Sequence, residues 1–131
     1  MIKRLFLAAT TALAALAWSA SANAADPVRI GVALSQTGNL ADSAAPYFKG
    51  LDLWREQANA RGGLAGHPIE FVVYDDRSDP ATAARLYEKL ITDDKVDVLF
   101  APFGSGHTKI VAAIATRYQI PMIACAASRN R

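Results

Sequence analysis

The chain has 131 residues, 52% of them hydrophobic, with 14 basic against 12 acidic side chains and one cysteine. That length supports one small domain with a modest core. The absence of any Lys/Arg block gives no reason to expect nucleic acid or an anionic membrane as partner, and one cysteine excludes an intramolecular disulfide.

At the amino end, Lys3 and Arg4 precede an apolar run from Leu5 to Trp18, and Ala22-Asn23-Ala24 supplies small side chains where a signal peptidase reads. This is the pattern of a secretory signal peptide over residues 1–24, cleaved between Ala24 and Ala25. The run is shorter than the ~20 residues that span a bilayer, so a membrane anchor is the weaker reading. Cleavage removes Lys3 and Arg4 and no acid, leaving 107 residues with 12 charges of each sign. The expected compartment is extracytoplasmic. There Cys125, within the apolar stretch Ile120–Ala126, is expected to be a buried small hydrophobe.

Val28–Leu34 is rich in β-formers and predicts the first strand, ending in the polar turn Ser35-Gln36-Thr37-Gly38. From Pro46 the period becomes helical, with Tyr47, Leu51, Trp54 and Ala58 on one face, until Gly62-Gly63 stops the helix. His67–Tyr74 predicts a second strand. Asp79-Pro80 opens the next helix, because Asp accepts from the free N–H groups of the first turn and Pro fits the first helical position. Ala83, Tyr87, Leu90 and Ile91 form its apolar face. Val96–Ala101 predicts a third strand, Gly104-Ser105-Gly106 turns the chain into a helix carrying Ile110, Val111, Ile114, Ala115 and Tyr118, and Ile120–Ala124 predicts a fourth strand.

The order β-α-β-α-β-α-β implies right-handed crossovers and a parallel sheet covered on both faces, a three-layer α/β/α sandwich. Ligands on such sheets bind outside the carboxyl ends of the strands, which directs attention to 35–42, 103–108 and 126–128. The chain stops at Arg129-Asn130-Arg131, right after the fourth strand and with no helix to cover it. Residues 25–131 therefore read as part of a longer product, with the fourth strand as a sheet edge.

Phe103-Gly104-Ser105-Gly106-His107-Thr108 lies between a strand and a helix. Flexible glycines there expose N–H groups at a helix amino end, where the dipole favours an anion, and Ser105 and Thr108 add hydroxyls that can donate to a carboxylate. The bland alternative is an ordinary helix start. Ala126-Ala127-Ser128, at the mouth of the neighbouring strand, offers carbonyls for an ammonium group, so the two mouths together suit an amino-acid zwitterion. The loop does not fit a dinucleotide fingerprint, since Lys109 stands where the third glycine belongs. Ser105 is not in a nucleophile elbow, because Phe103 replaces the required glycine. His107 is expected at the surface or rim. Asp75-Asp76 is expected to serve a turn and a cap, His67 has no spaced metal partner, and Trp54 is expected in the core or at a lobe contact. Neither a metal nor a cofactor is expected.

These segments, together with Ile30-Gly31-Val32, Thr37-Gly38, Gly50, Asn59–Leu64, Tyr74-Asp75-Asp76, Asp79-Pro80 and Ile120–Ile123, resemble the leucine/isoleucine/valine-binding family of type I periplasmic binding proteins over Val28–Ser128. The resemblance implies a bilobed binder that closes on its ligand, of which this chain matches about the first third. By position it implies that Ser105, with Phe103 and Gly104 beside it, holds the ligand carboxylate. Ala126 would take the ammonium through its carbonyl, and Ser128 would contact both groups. Ser43 stands where an aromatic often lies against the ligand side chain, which implies tolerance for polar or larger side chains. The function implied is non-catalytic capture of an amino acid in the periplasm, branched-chain ones first, for the permease subunits of an ABC importer. The alternatives are an extracytoplasmic sensing domain of a receptor, a binder of a related amide or aromatic carboxylate and, in another class, a hydrolase or nucleotide-dependent enzyme, for which no complete catalytic set is present.

Overall fold

A computed structural model describes residues 25–125, so residues 1–24, expected above to be a signal peptide, and Ala126 and Ser128 lie outside the described residues. The elements are β1 (Val28–Leu34), α1 (Ala41–Ala60), β2 (Ile69–Asp75), α2 (Pro80–Thr92), β3 (Val98–Phe100), α3 (Ser105–Arg117) and β4 (Met122–Ile123). They form a parallel sheet in the order β2-β1-β3-β4. The expected α/β sandwich is present, and β4 lies at one edge with Ile123 half exposed.

Alternation along β1 splits the core. Ile30, Val32 and Leu34 pack with Leu51, Tyr47, Phe48 and Ala58 of α1 on one face, together with Ile69 and Phe100. Ala33 faces the other side, where Tyr87 and Leu90 of α2 meet Val111 and Ala115 of α3. Gly31 shares that second face, and a Cβ there would lie 2.9 Å from Val96 Cγ2 and 3.1 Å from Leu90 Cδ2, so α2 approaches the sheet as closely as it does because the side chain is missing. Helix α1 covers one face and α2 with α3 the other. The chain leaves β1 toward β2 and returns past it to β3, which puts the reversal of strand order between β1 and β3.

At that reversal the ladder is short. β1 pairs with β2 from Val28 to Leu34 but with β3 only through Ile30 and Gly31. Beyond those residues the fully buried Tyr87 bridges the gap. Its hydroxyl accepts from Ala33 N–H at 3.4 Å and donates to the carbonyl of Phe100, replacing a ladder bond with a side-chain link from α2. Burial pushes its phenol well above the ordinary range, so it stays a neutral donor.

The predicted helix ends move in one place. α1 begins at Ala41, not Pro46, and Pro46 lies inside it. Its missing N–H falls just past the first turn, and the segment before it, rich in alanine, carries no apolar period to announce a helix. The start of α2 is as expected: Asp79 accepts from Thr82 N–H at 2.7 Å, and Pro80 takes the first helical position.

Candidate functional site

Three loops meet outside the carboxyl ends of the strands. The loop after β1 and the loop after β2 are bound to each other by the paired aspartates. Asp75 accepts from Gln36 N–H, Thr37 N–H and Thr37 Oγ1 at 3.0, 3.2 and 2.7 Å, and from Arg77 N–H at 2.9 Å. Burial raises its carboxyl, but the bonds from Thr37, Arg77 and Gln36 outweigh it and hold the group below the ordinary carboxylate range. Asp76 is fully buried and accepts from Ser35 Oγ at 2.7 Å and Ser78 N–H at 2.9 Å. Ser78 Oγ in turn donates to Thr37 O at 2.8 Å and accepts from Leu40 N–H at 3.0 Å. The turn role expected for Asp75-Asp76 is observed, and it extends to shaping the entry into α1. Ser43 sits exposed in the first turn of that helix.

The third loop leads from β3 into α3. Gly104 is the N-cap, with φ 94°, a left-handed backbone that favours glycine, and no side chain caps the helix. Ser105 follows as the exposed first residue of α3, and Phe103 is half-buried before it. The amino end of α3 thus lies at an exposed first residue, and the dipole of a helix favours an anion at such an end. Thr108 does not contribute its hydroxyl as expected: that group is buried and donates to the carbonyls of Pro102 and Gly104, at 3.1 and 2.9 Å. His107 is also not at the rim. It is 7% exposed, on the inward face of α3 with Val111 and Ile114, and its Nε2 has no hydrogen-bond partner among the described residues.

Sequence reasoning placed Tyr47 only on a core-facing stripe. The structure takes it to the strand ends, where its hydroxyl lies 3.2 Å from Ala101 O, after β3, and 3.7 Å from Cys125 Sγ, after β4. Its ring lies 6.4 Å from that of Phe103, tilted by 46°. Cys125 is exposed, not buried, because it has passed the last paired residue of the edge strand. Trp54 stacks on Phe71 at 6.3 Å and meets Phe100 edge-on at 5.8 Å, at the border of the α1–sheet interface, where it remains 37% exposed.

An open cleft of about 210 Å³ lies between Leu34–Gln36 and the Ala41–Lys49 stretch of α1. Its lining is mainly apolar and does not include Phe103–Ser105. Among the described residues no group of His, Cys, Asp or Glu is arranged to hold a metal ion, and no helix is long and apolar enough to cross a membrane.

A family model described as periplasmic binding protein matches residues 27–131. The chain is 34% identical over 109 residues to an amino acid binding protein of Pseudomonas aeruginosa, covering 82% of this chain and 29% of that protein. Among solved structures it is similar to the branched-chain amino acid transporter substrate binding protein LivJ of Streptococcus pneumoniae in complex with isoleucine. The TM-score is 0.76 and the identity 33%, over 80% of this chain and 30% of that one. It is also similar to a solute binding protein of an ABC transporter from Rhodopseudomonas palustris BisB5 in complex with 3,4-dihydroxybenzoic acid, with TM-score 0.71 and 27% identity over 79% of this chain and 28% of that one. The chain therefore spans a little under a third of the length of the relatives it matches.

Proposed function

Because the chain belongs to the periplasmic binding protein family, we propose that the protein captures an amino acid in the periplasm, branched-chain ones first, and presents it to the permease subunits of an ABC importer. In this reading residues 1–24 are the export signal and 25–131 belong to the amino-terminal lobe. The protein performs no chemistry on what it binds.

The observation that carries the reading is the placement of the Gly104 cap. The amino end of α3 opens at the carboxyl edge of the sheet, beside the mouth of β4 and next to the reversal between β1 and β3. A carboxylate on Ser105 and the adjacent N–H groups gains the helix dipole and charge-assisted bonds. The carbonyl of Ala126 and the hydroxyl of Ser128, immediately past Cys125, would take the ammonium. Phe103 and Ser43 flank the ligand. The relative and the isoleucine-bound neighbour support an amino acid as cargo.

Calorimetry with the protein expressed from its full gene tests this: an L-amino acid should bind with one-to-one stoichiometry, and saturating leucine should raise the melting temperature. A protein indifferent to all proteinogenic amino acids would refute the reading. A second reading, capture of an aromatic carboxylate, is favoured by the neighbour that holds 3,4-dihydroxybenzoic acid. It needs only the α3 seat, and a benzoate that binds while leucine does not would select it.

A further inference from the structure

The cleft between the end of β1 and the first turns of α1 takes no lining from β3, β4 or the loop into α3. Tyr47 marks the flank of α1 that faces Ala101 and Cys125, after those two strands. At 3.6 residues per turn, Ala41, Ala45 and Phe48 lie about 100–160° round the helix from it. The cleft and the ends of β3 and β4 are therefore on different flanks of α1. Its volume of about 210 Å³ exceeds the ~150 Å³ apolar cavity that takes up a benzene ring. Leu34 and Ala44 in its lining are buried, Ala41 and Phe48 are half-buried, and none of the four has a polar side chain. The hydroxyl of Ser35 is already committed to Asp76. Lys49 is exposed and pairs with no carboxylate among the described residues, because Asp52, three positions on, accepts from Arg55 at 2.7 Å instead. One uncompensated positive charge thus stands beside an apolar hollow.

We propose that this cleft is a second ligand site, for a compact apolar monocarboxylate such as a short fatty acid, with the Lys49 ammonium holding the carboxylate and Leu34, Ala41, Ala44 and Phe48 covering the hydrocarbon. The lining sets the class. Apolar walls reward hydrocarbon by the area they take from water, and the methylene stem of Lys49 extends them. A single cation matches a single negative charge, whereas a polyanion would bring charges that the apolar walls cannot pair. A free amino acid fits badly, since no acidic side chain lines the cleft to receive its ammonium. The proposal does not rest on the amino-acid reading above, and either can fail without the other.

The test uses the protein expressed from its full gene with carbon-13 in the alanine methyl groups, titrated with hexanoate in the presence of excess leucine. Hexanoate should shift the methyl signals of Ala41, Ala44 and Ala45 along one saturating curve, with a dissociation constant of about 1 mM or below. Lys49→Met keeps the stem and removes the charge at an exposed position. It should weaken hexanoate about tenfold and leave any leucine affinity unchanged. Hexanol and hexylamine, which lack the negative charge, should bind the wild type about tenfold more weakly than hexanoate does. Methyl signals that stay put up to about 10 mM hexanoate overturn the proposal, as they would if another part of the full chain fills the cleft. So does hexanol binding as tightly as hexanoate, or Lys49→Met binding hexanoate as the wild type does. Hexanoate that leucine displaces, and that Ser105→Ala weakens while Lys49→Met does not, occupies the amino end of α3 and also overturns it.

Discussion

Ser35 Oγ donates to Asp76 Oδ1 at 2.7 Å, joining the end of β1 to the loop after β2 across 41 residues of sequence. Both residues are buried, and the same carboxylate oxygen also receives Ser78 N–H. Asp76→Ala would leave a buried hydroxyl and a backbone N–H without an acceptor, each costing about 1–3 kcal/mol. The expected outcome is a loss of about 3 kcal/mol, seen as a lower urea midpoint at unchanged slope. A midpoint within error of wild type would show that the loops relax to find other partners.

Asp75 makes the neighbouring link sensitive to acid. Its folded carboxyl is held below the unfolded value, so its contribution is present above the ordinary carboxylate range and lost as pH falls through the folded value. Asp75→Asn should therefore flatten part of the acid limb of the stability curve. Urea midpoints for both proteins should converge as pH drops below about 4. Parallel curves down to the acid unfolding of both would contradict the assignment.

Tyr87→Phe removes the hydroxyl that closes the gap between β1 and β3 and leaves the Ala33 N–H and the Phe100 carbonyl without that partner. A destabilisation of about 1–3 kcal/mol is expected, with no change in secondary structure by circular dichroism. Amide exchange should quicken most at Ala33, and uniform quickening across the sheet would argue against a local bridge.

Ser105→Ala in the protein expressed from its full gene should weaken amino-acid binding by about 1–3 kcal/mol, the range for a hydrogen bond to a charged group. Thr108→Val tests the correction to the site: its hydroxyl serves backbone carbonyls, so the substitution should lower thermal stability and alter affinity far less than Ser105→Ala does. The opposite ordering of the two variants would return Thr108 to the ligand.

Local chemistry announced much of this fold. Val28–Leu34 shows its strand by composition alone, and Asp79-Pro80 shows its helix start by cap chemistry that needs no tertiary partner. The start of α1 was hidden because Ala41–Ala45 has no apolar period and Pro46 looks like a first-turn residue. Near the strand mouths, glycine spacing and chain order were enough to place the start of α3 after Gly104. The roles of Tyr47, His107 and Cys125 were not legible. Each depends on where a strand stops or how a helix face turns, and Tyr47 meets its partners across separations no sequence window spans.

Gly31 carries one more consequence, for how such a sequence can drift. Any side chain at 31 must displace Leu90 or Val96, which lie about 3 Å from where its first carbon would be. Leu90 belongs to the same packed cluster as Val111 and Ala115 of α3. A substitution at 31 is therefore open only along a path in which 90 or 96 shrinks first, and the reverse order passes through an overpacked intermediate costing about 1–3 kcal/mol. Gly31→Ala should be poorly tolerated alone and rescued by Leu90→Ala or Val96→Ala, which makes these positions an ordered set in which history determines what is viable.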